Sequence, residues 1–197
     1  SNNWGTADIG GAWTRSGSGT NFAVTPGKAT LNMNAGGGPA AYLNGVSARD
    51  VDLRTSLSFD KPGTGGGSYA YLVARKNDTS DYRATTRVTA TAVTIQAVKK
   101  VQGVDTVLGQ VNLTGGTLEA NQVLHVRLQV VGASPTTVRI KAWRDGATEP
   151  SAWMLSYTDN ASGLQQAGAV GLHSYLSGSA TNAPIKAQFG RFQVEPA

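Results

Sequence analysis

No cysteine occurs among the 197 residues. No disulfide therefore closes the fold, and no thiolate serves as nucleophile or metal ligand. Glutamate is nearly absent too. Glu119, Glu149 and Glu195 are the whole set, and each falls at an expected turn or at the terminus. Glycoside hydrolysis generally needs two carboxylates flanking the scissile bond, so this scarcity argues against a glycosidase. Asp50 and Asp52 are two residues apart on one strand face, but they read as a solvated edge pair. No apolar run approaches the ~18 residues of a membrane helix, and no signal-peptide pattern is present. No serine sits in a nucleophile elbow, and no histidine pair has zinc-ligand spacing. Gly65-Gly66-Gly67 is not a phosphate loop, because no lysine-serine/threonine pair follows and no helix opens after it.

What remains is rich in glycine (25 residues), with 40% apolar and only 15% charged residues. Abundant Thr, Ser, Asn and Val fit many short strands joined by tight turns and argue against helices. The net charge is +5, with a pI near 9.6. Most of that charge is arginine scattered at strand positions, with Lys99-Lys100 the one short basic cluster. Nucleic-acid binders show a denser stripe, so nucleic acid is not the expected partner. An anionic polysaccharide or cell-wall polymer would use the same charge.

The chain is organised around residues 68–98. Tyr69, Tyr71, Val73 and Arg75 alternate with Ala70, Leu72, Ala74 and Lys76, the period of a pleated strand. A polar turn at residues 77–81 leads to a second strand, with Tyr82, Ala84, Thr86 and Val88 on one side and Arg83, Thr85 and Arg87 on the other. Residues 94–98 begin a third. Earlier, Pro26-Gly27-Lys28 is a turn signal, and Val51, Leu53, Thr55, Leu57 and Phe59 mark a two-faced strand. Later, residues 123–131 read VLHVRLQVV, with His125 and Arg127 outward. Residues 137–143 read TVRIKAW, with Arg139, Lys141 and Trp143 outward. Residues 170–176 place His173 and Tyr175 opposite Leu172 and Leu176. Residues 162–168 are the one plausible helical turn, and 185–194 are the last strand. Trp13, with Trp4, is expected to cap one end of the core; an exposed Trp4 would instead stack on a sugar. About ten to fourteen short strands spaced by turns imply a two-sheet antiparallel sandwich. No linker or repeat divides residues 1–197, so one domain is expected. The abrupt start at Ser1-Asn2-Asn3-Trp4 reads as a module cut from a larger secreted or cell-surface protein, with other domains of that polypeptide as neighbours.

The order of these strands carries a resemblance. It runs from Tyr69, Tyr71 and Arg75 through Asp81-Tyr82-Arg83, His125 and Arg127 to Val138-Arg139-Ile140-Lys141-Ala142-Trp143 before an Asp-Gly turn. Glu149-Pro150-Ser151-Ala152-Trp153, Ala169-Val170-Gly171-Leu172 and a last strand with two phenylalanines follow. The pattern resembles the concanavalin A-like lectin/glucanase jelly-roll superfamily, including laminin-G-like and carbohydrate-binding modules of secreted actinobacterial proteins. The resemblance implies an all-β, two-sheet antiparallel jelly roll with a concave sheet face that binds glycans, and often a structural calcium. The last strand departs from the usual pattern: Phe189 is followed by Gly190-Arg191-Phe192, where such modules often have Phe-Asp. Asp8, Asp159 or a residue upstream of Ser1 would have to supply acidic ligands, and no dense acidic loop is present.

The resulting expectation is a non-catalytic polysaccharide-binding module. Tyr69, Tyr71, Trp143 and Tyr175 would stack on sugar rings, and Arg75, Arg83, Arg87 and His173 would donate hydrogen bonds to hydroxyls or carboxylates. Two alternatives stand beside it. One is a uronate lyase using Tyr, His and Arg chemistry, although the superfamily's lyase motifs are matched only loosely by Val123-Leu124-His125 and Leu172-His173-Ser174-Tyr175. The other is a structural or adhesion domain, in which the same residues are cross-strand pairs without a ligand.

Overall fold

The computed structural model describes residues 4–25 and 27–197. Pro26 of the expected turn, and Ser1, Asn2 and Asn3, lie outside the described residues. In chain order the strands are β1 (Thr6–Ala7), β2 (Gly11–Ala12), β3 (Thr14–Ser16), β4 (Phe22–Thr25), β5 (Lys28–Met33), β6 (Ala40–Ala48), β7 (Val51–Phe59), β8 (Ser68–Asn77) and β9 (Ser80–Val88). There follow β10 (Val93–Val101), β11 (Val104–Asn112), β12 (Leu124–Val131), β13 (Thr136–Arg144), β14 (Leu155–Asp159), β15 (Gly168–Leu176), β16 (Ile185–Phe189) and β17 (Gln193–Pro196). Single 3₁₀ turns at Gly19–Asn21 and Ser162–Leu164 are the helical elements among the described residues. The second of them falls where a helical turn was expected.

Two antiparallel sheets face each other. The first runs β11-β10-β9-β8-β15-β6-β3, and the second runs β14-β13-β12-β7-β16-β5-β4. Strand β17 continues beside β7 after β16 leaves off. β12 shows why the sequence folds this way. Its residues alternate buried and half-buried without exception, so Leu124, Val126, Leu128 and Val130 enter the core while His125, Arg127 and Gln129 stay outside. The core between the sheets takes Leu72, Tyr82, Ala84 and Ile95 from one side and Leu53, Leu57, Leu128 and Ile140 from the other. Trp4 is itself core, 8% exposed, edge-on to Trp13 and Phe22, with its indole N–H donated to the Thr30 carbonyl. It is not a sugar platform.

Two expectations need correction. The alternation of β8 breaks before its end. The pairing with β9 shifts register between Ala74 and Asn77, and Arg75 adopts φ +50. This bulge turns the Arg75 side chain off the wet face and into the molecule, where it is 0% exposed. There its guanidinium donates to the Arg49, Gly132 and Leu164 carbonyls and to Thr136 Oγ1. It thereby latches β8 to the β6–β7 connection, the β12–β13 hairpin and the second 3₁₀ turn. Nor are Asp50 and Asp52 a solvated pair. Asp52 is buried against Arg127, and Asp50 accepts the Gly132 amide N–H.

Candidate functional site

Strands β15, β8 and β9 are neighbours in the first sheet, and their registers align the outward residues in rows. Tyr175 lies opposite Tyr69, which lies opposite Arg87; His173 lies opposite Tyr71, which lies opposite Thr85. The rings are in contact. Tyr71 stacks on His173 with centroids 4.6 Å apart and on Tyr69 at 6.2 Å, and Tyr69 meets Tyr175 at 5.7 Å. Guanidinium groups sit over two of them, Arg83 at 5.4 Å from the Tyr71 centroid and Arg87 at 5.6 Å from Tyr69.

Beyond the rings, the face turns polar. Gln96 and Gln110 bond across β10 and β11, as do Thr94 and Asn112. One end of the platform is walled by the glycine-rich loop at residues 61–67. The Gly66 carbonyl accepts both the Tyr69 hydroxyl and Arg87 Nε. That loop is itself pinned by Ser179, whose hydroxyl accepts the Gly66 amide. Gly38 leaves room for the rings on the other side, since a β-carbon there would lie 3.1 Å from His173 Nε2 and 3.4 Å from Tyr175.

Six of the eight expected ligand residues therefore share one face: Tyr69, Tyr71, Arg83, Arg87, His173 and Tyr175. They are not equivalent. Arg83 is only 4% exposed and grips Asp81 through two hydrogen bonds. It is a buried pillar under the platform rather than a reaching hand, held charged by that carboxylate. The remaining two residues are elsewhere. Arg75 is inside the molecule, as described. Trp143 is outward on β13, which belongs to the second sheet, where it stacks on His125 at 5.3 Å. Trp153 lies on that side too, beneath Arg127 and Lys141. The eight residues thus do not line a single hollow. Tyr42 was missed: it is outward on β6 with Lys76 Nζ 4.8 Å from its ring. The alternation of Ala41, Tyr42 and Leu43 was the available signal.

Electrostatics on this face favour uncharged rings. Burial pushes the Tyr71 phenol well above its ordinary range, with Arg83 only partly opposing. Burial, with the positive charges of Arg83 and Lys100, pushes His173 down to about 3. Its Nδ1 is buried without a hydrogen-bond partner among the described residues. At neutral pH the platform therefore presents a neutral imidazole and an intact phenol, with Arg87 as its half-exposed cation.

No family model matches the sequence, and no curated protein matches it. Among solved structures, the carbohydrate-binding module CBM66 from Bacillus subtilis superposes with a TM-score of 0.64 at 18% identity, over 93% of this chain and 94% of that one. The β-glucanase of Bacillus licheniformis gives 0.62 at 11% identity, over 94% and 92%. The alginate lyase Aly36B gives 0.63 at 8% identity, over 90% and 84%. The fold is the concanavalin A-like jelly roll.

That jelly roll carries binding modules, hydrolases and lyases alike, so function has to come from the side chains. Of the two carboxylates that the implied structural calcium would draw on within the chain, one is engaged and the other stands apart. Asp159 is committed to Tyr82, Lys99 and the Ala161 amide. Asp8 lines an apolar hollow with Ile9, Trp13, Leu43 and Phe192. Among the described residues no group of three or more acidic or histidine side chains could hold a metal.

Proposed function

We propose that this jelly roll is a non-catalytic glycan-binding module and that the ring platform on its first sheet is the binding surface. The observation that carries the reading is the contiguous row Tyr175–Tyr69–Tyr71–His173, four rings in contact on one sheet face with Arg87 at their edge. Such a row offers a contiguous ridge of ring edges to the C–H groups of sugars while the tyrosine hydroxyls and the guanidinium supply polar contacts. The fold likeness to a carbohydrate-binding module supports it, and so does the positive net charge, which suits an anionic polysaccharide. Catalysis finds little support on this face. Its buried carboxylate, Asp81, is neutralised by Arg83. A tyrosine base would need a lowered pKa, whereas that of Tyr71 is raised.

A uronate lyase is the second reading, favoured by the Tyr71–His173 stack and by the likeness to an alginate lyase. It would release unsaturated product absorbing in the near ultraviolet from a panel of uronans, and a flat absorbance trace on every member removes it. The binding reading is tested on a glycan array with the 197-residue chain and its Tyr71→Ala, Tyr175→Ala and Arg87→Ala variants. Loss of about 1–3 kcal/mol of affinity per ring is expected, by analogy with other stacking platforms. Binding that survives all three substitutions, or no binding to any glycan, overturns it. Arg75→Ala is not a useful variant here, because it disturbs the frame rather than the platform.

A further inference from the structure

The second sheet carries a charged cluster that the platform does not explain. Registers across β7, β12 and β13 place Arg54 opposite Arg127 opposite Lys141, three cations side by side. Like charges in this position repel. Two carboxylates hold them together, but unevenly. Asp52 takes Arg127 at 2.8 and 2.9 Å, and Glu149 Oε1 takes Arg127 and Lys141 at 2.7 and 2.8 Å. Arg54 receives what is left: its carboxylate contacts are 3.5 Å to Asp52 and 3.6 Å to Glu149, and its Nε is buried without a hydrogen bond.

Arg54 faces a hollow of about 280 Å³, whose lining includes Ser56, His125, Trp143, Arg191 and Gln193. The wall is an imidazole backed by an indole: His125 lies between Ser56 and Trp143 across the sheet, stacks on the Trp143 ring, and has its Nε2 tied to Asp145 at 2.8 Å. Arg191 reaches this hollow because the last strand is broken. β16 and β17 both pair with β7, and Gly190 crosses between them, its amide bonded to the Ser56 carbonyl. A β-carbon at Gly190 would lie 2.1 Å from Ser56 Oγ, so any other residue here would force that hydroxyl to turn away. The Gly190-Arg191 pair that follows Phe189, where the resemblance implies Asp, thus delivers an exposed guanidinium to the hollow.

The geometry points to a second binding site here, for a carboxylated sugar unit of the uronic acid class. The charged side chains that line the hollow are Arg54 and Arg191 against Glu149, so it carries an excess of positive charge and attracts an anion. Arg54 and Arg191 offer planar forks that match a carboxylate, the His125–Trp143 stack offers an aromatic wall beside a pyranose ring, and Ser56 and Gln193 can meet hydroxyls. The volume is at the lower end for ligand pockets, suited to one ring and not to a long segment. This site is on the opposite sheet from the tyrosine platform and does not depend on it.

The test is a titration of ¹⁵N-indole-labelled protein with trigalacturonate, triglucuronate and trimannuronate. Maltotriose serves as the neutral control and acetate as the carboxylate without a ring, and the Trp143 resonance is assigned with Trp143→Phe. At least one uronate should move the Trp143 signal saturably, while maltotriose and acetate do not at equal concentration. Arg191→Ser, at an exposed position that leaves the fold intact, and Arg54→Gln should each weaken that response about tenfold or more. Tyr71→Ala should leave it unchanged. The proposal is overturned if no uronate moves the signal, if maltotriose or acetate moves it equally, if Arg191→Ser keeps full affinity, or if Tyr71→Ala abolishes the response.

Discussion

Replacing Arg75 by methionine keeps most of the side-chain volume and removes the fork. The structure gives the cost. Four acceptors lose their donor: the carbonyls of Arg49, Gly132 and Leu164 and the hydroxyl of Thr136. Thr136 and Leu164 are 0% exposed, so water cannot replace the lost bonds there. The carbonyls of Arg49 and Gly132 belong to exposed residues and can rehydrate in part. Breaking such a buried charged network costs about 3–5 kcal/mol. For a chain of this length each kilocalorie moves the melting midpoint by about 2–4 °C, so a drop of about 6–20 °C is expected. Urea unfolding followed by tryptophan fluorescence should show a lower midpoint with an unchanged m-value. Arg75→Lys should recover only part of the loss, because an ammonium cannot span three separate loops. A midpoint within about 2 °C of the parent would refute the latch and the bulge argument together.

Three further predictions follow from the packing. His173 has a folded pKa near 3 against 6.5 unfolded. Its contribution is complete above pH 6.5 and is lost as pH falls toward 3, because the unfolded chain takes up the proton first. Stability should decline by about 1.4 kcal/mol per pH unit over that range, His173→Gln should flatten the slope, and identical slopes in thermal melts would exclude the role. Burial opposes ionisation of Asp159, but hydrogen bonds from Lys99, the Ala161 amide and Tyr82 outweigh it and hold the carboxyl below its usual range. Asp159→Asn should cost about 2–3 kcal/mol at pH 7. Its deficit against the parent should shrink once pH falls below about 4, the ordinary carboxylate value, as chemical unfolding at both pH values would show. Gly109→Ala puts a β-carbon 1.9 Å from the Tyr157 hydroxyl. It should cost about 1–3 kcal/mol by overpacking, a loss that Tyr157→Leu partly restores if this contact is the cause.

The two-sheet sandwich was legible because alternation is local: residues 124–131 show their inward and outward sides in sequence and keep them in the structure. The tyrosine row was legible for the same reason. Trp143 was not placed, because periodicity tells whether a side chain points in or out but not which sheet its strand joins. That choice is made by pairings such as Leu128 with Leu53, set by long-range topology. Arg75 failed differently. A one-residue bulge reverses every later side chain on the strand, and nothing in Ala74-Arg75-Lys76 announces one. The last strand was read as continuous through residue 194, and the break at Gly190 is visible only once Ser56 is seen beneath it. Short pieces such as β1, β2 and β3 raised the strand number among the described residues to seventeen, since runs of two or three residues carry no usable period.

The two sheets stand back to back, with inner faces about 10 Å apart as in any sandwich, so their outer faces look in opposite directions. A polymer lying across the tyrosines cannot also reach the indole of β13 without wrapping around an edge strand. If both surfaces hold sugar, they hold separate chains. The domain would then act as a rivet between neighbouring strands of a matrix, and adding it to a dilute polysaccharide would raise viscosity instead of merely decorating the polymer.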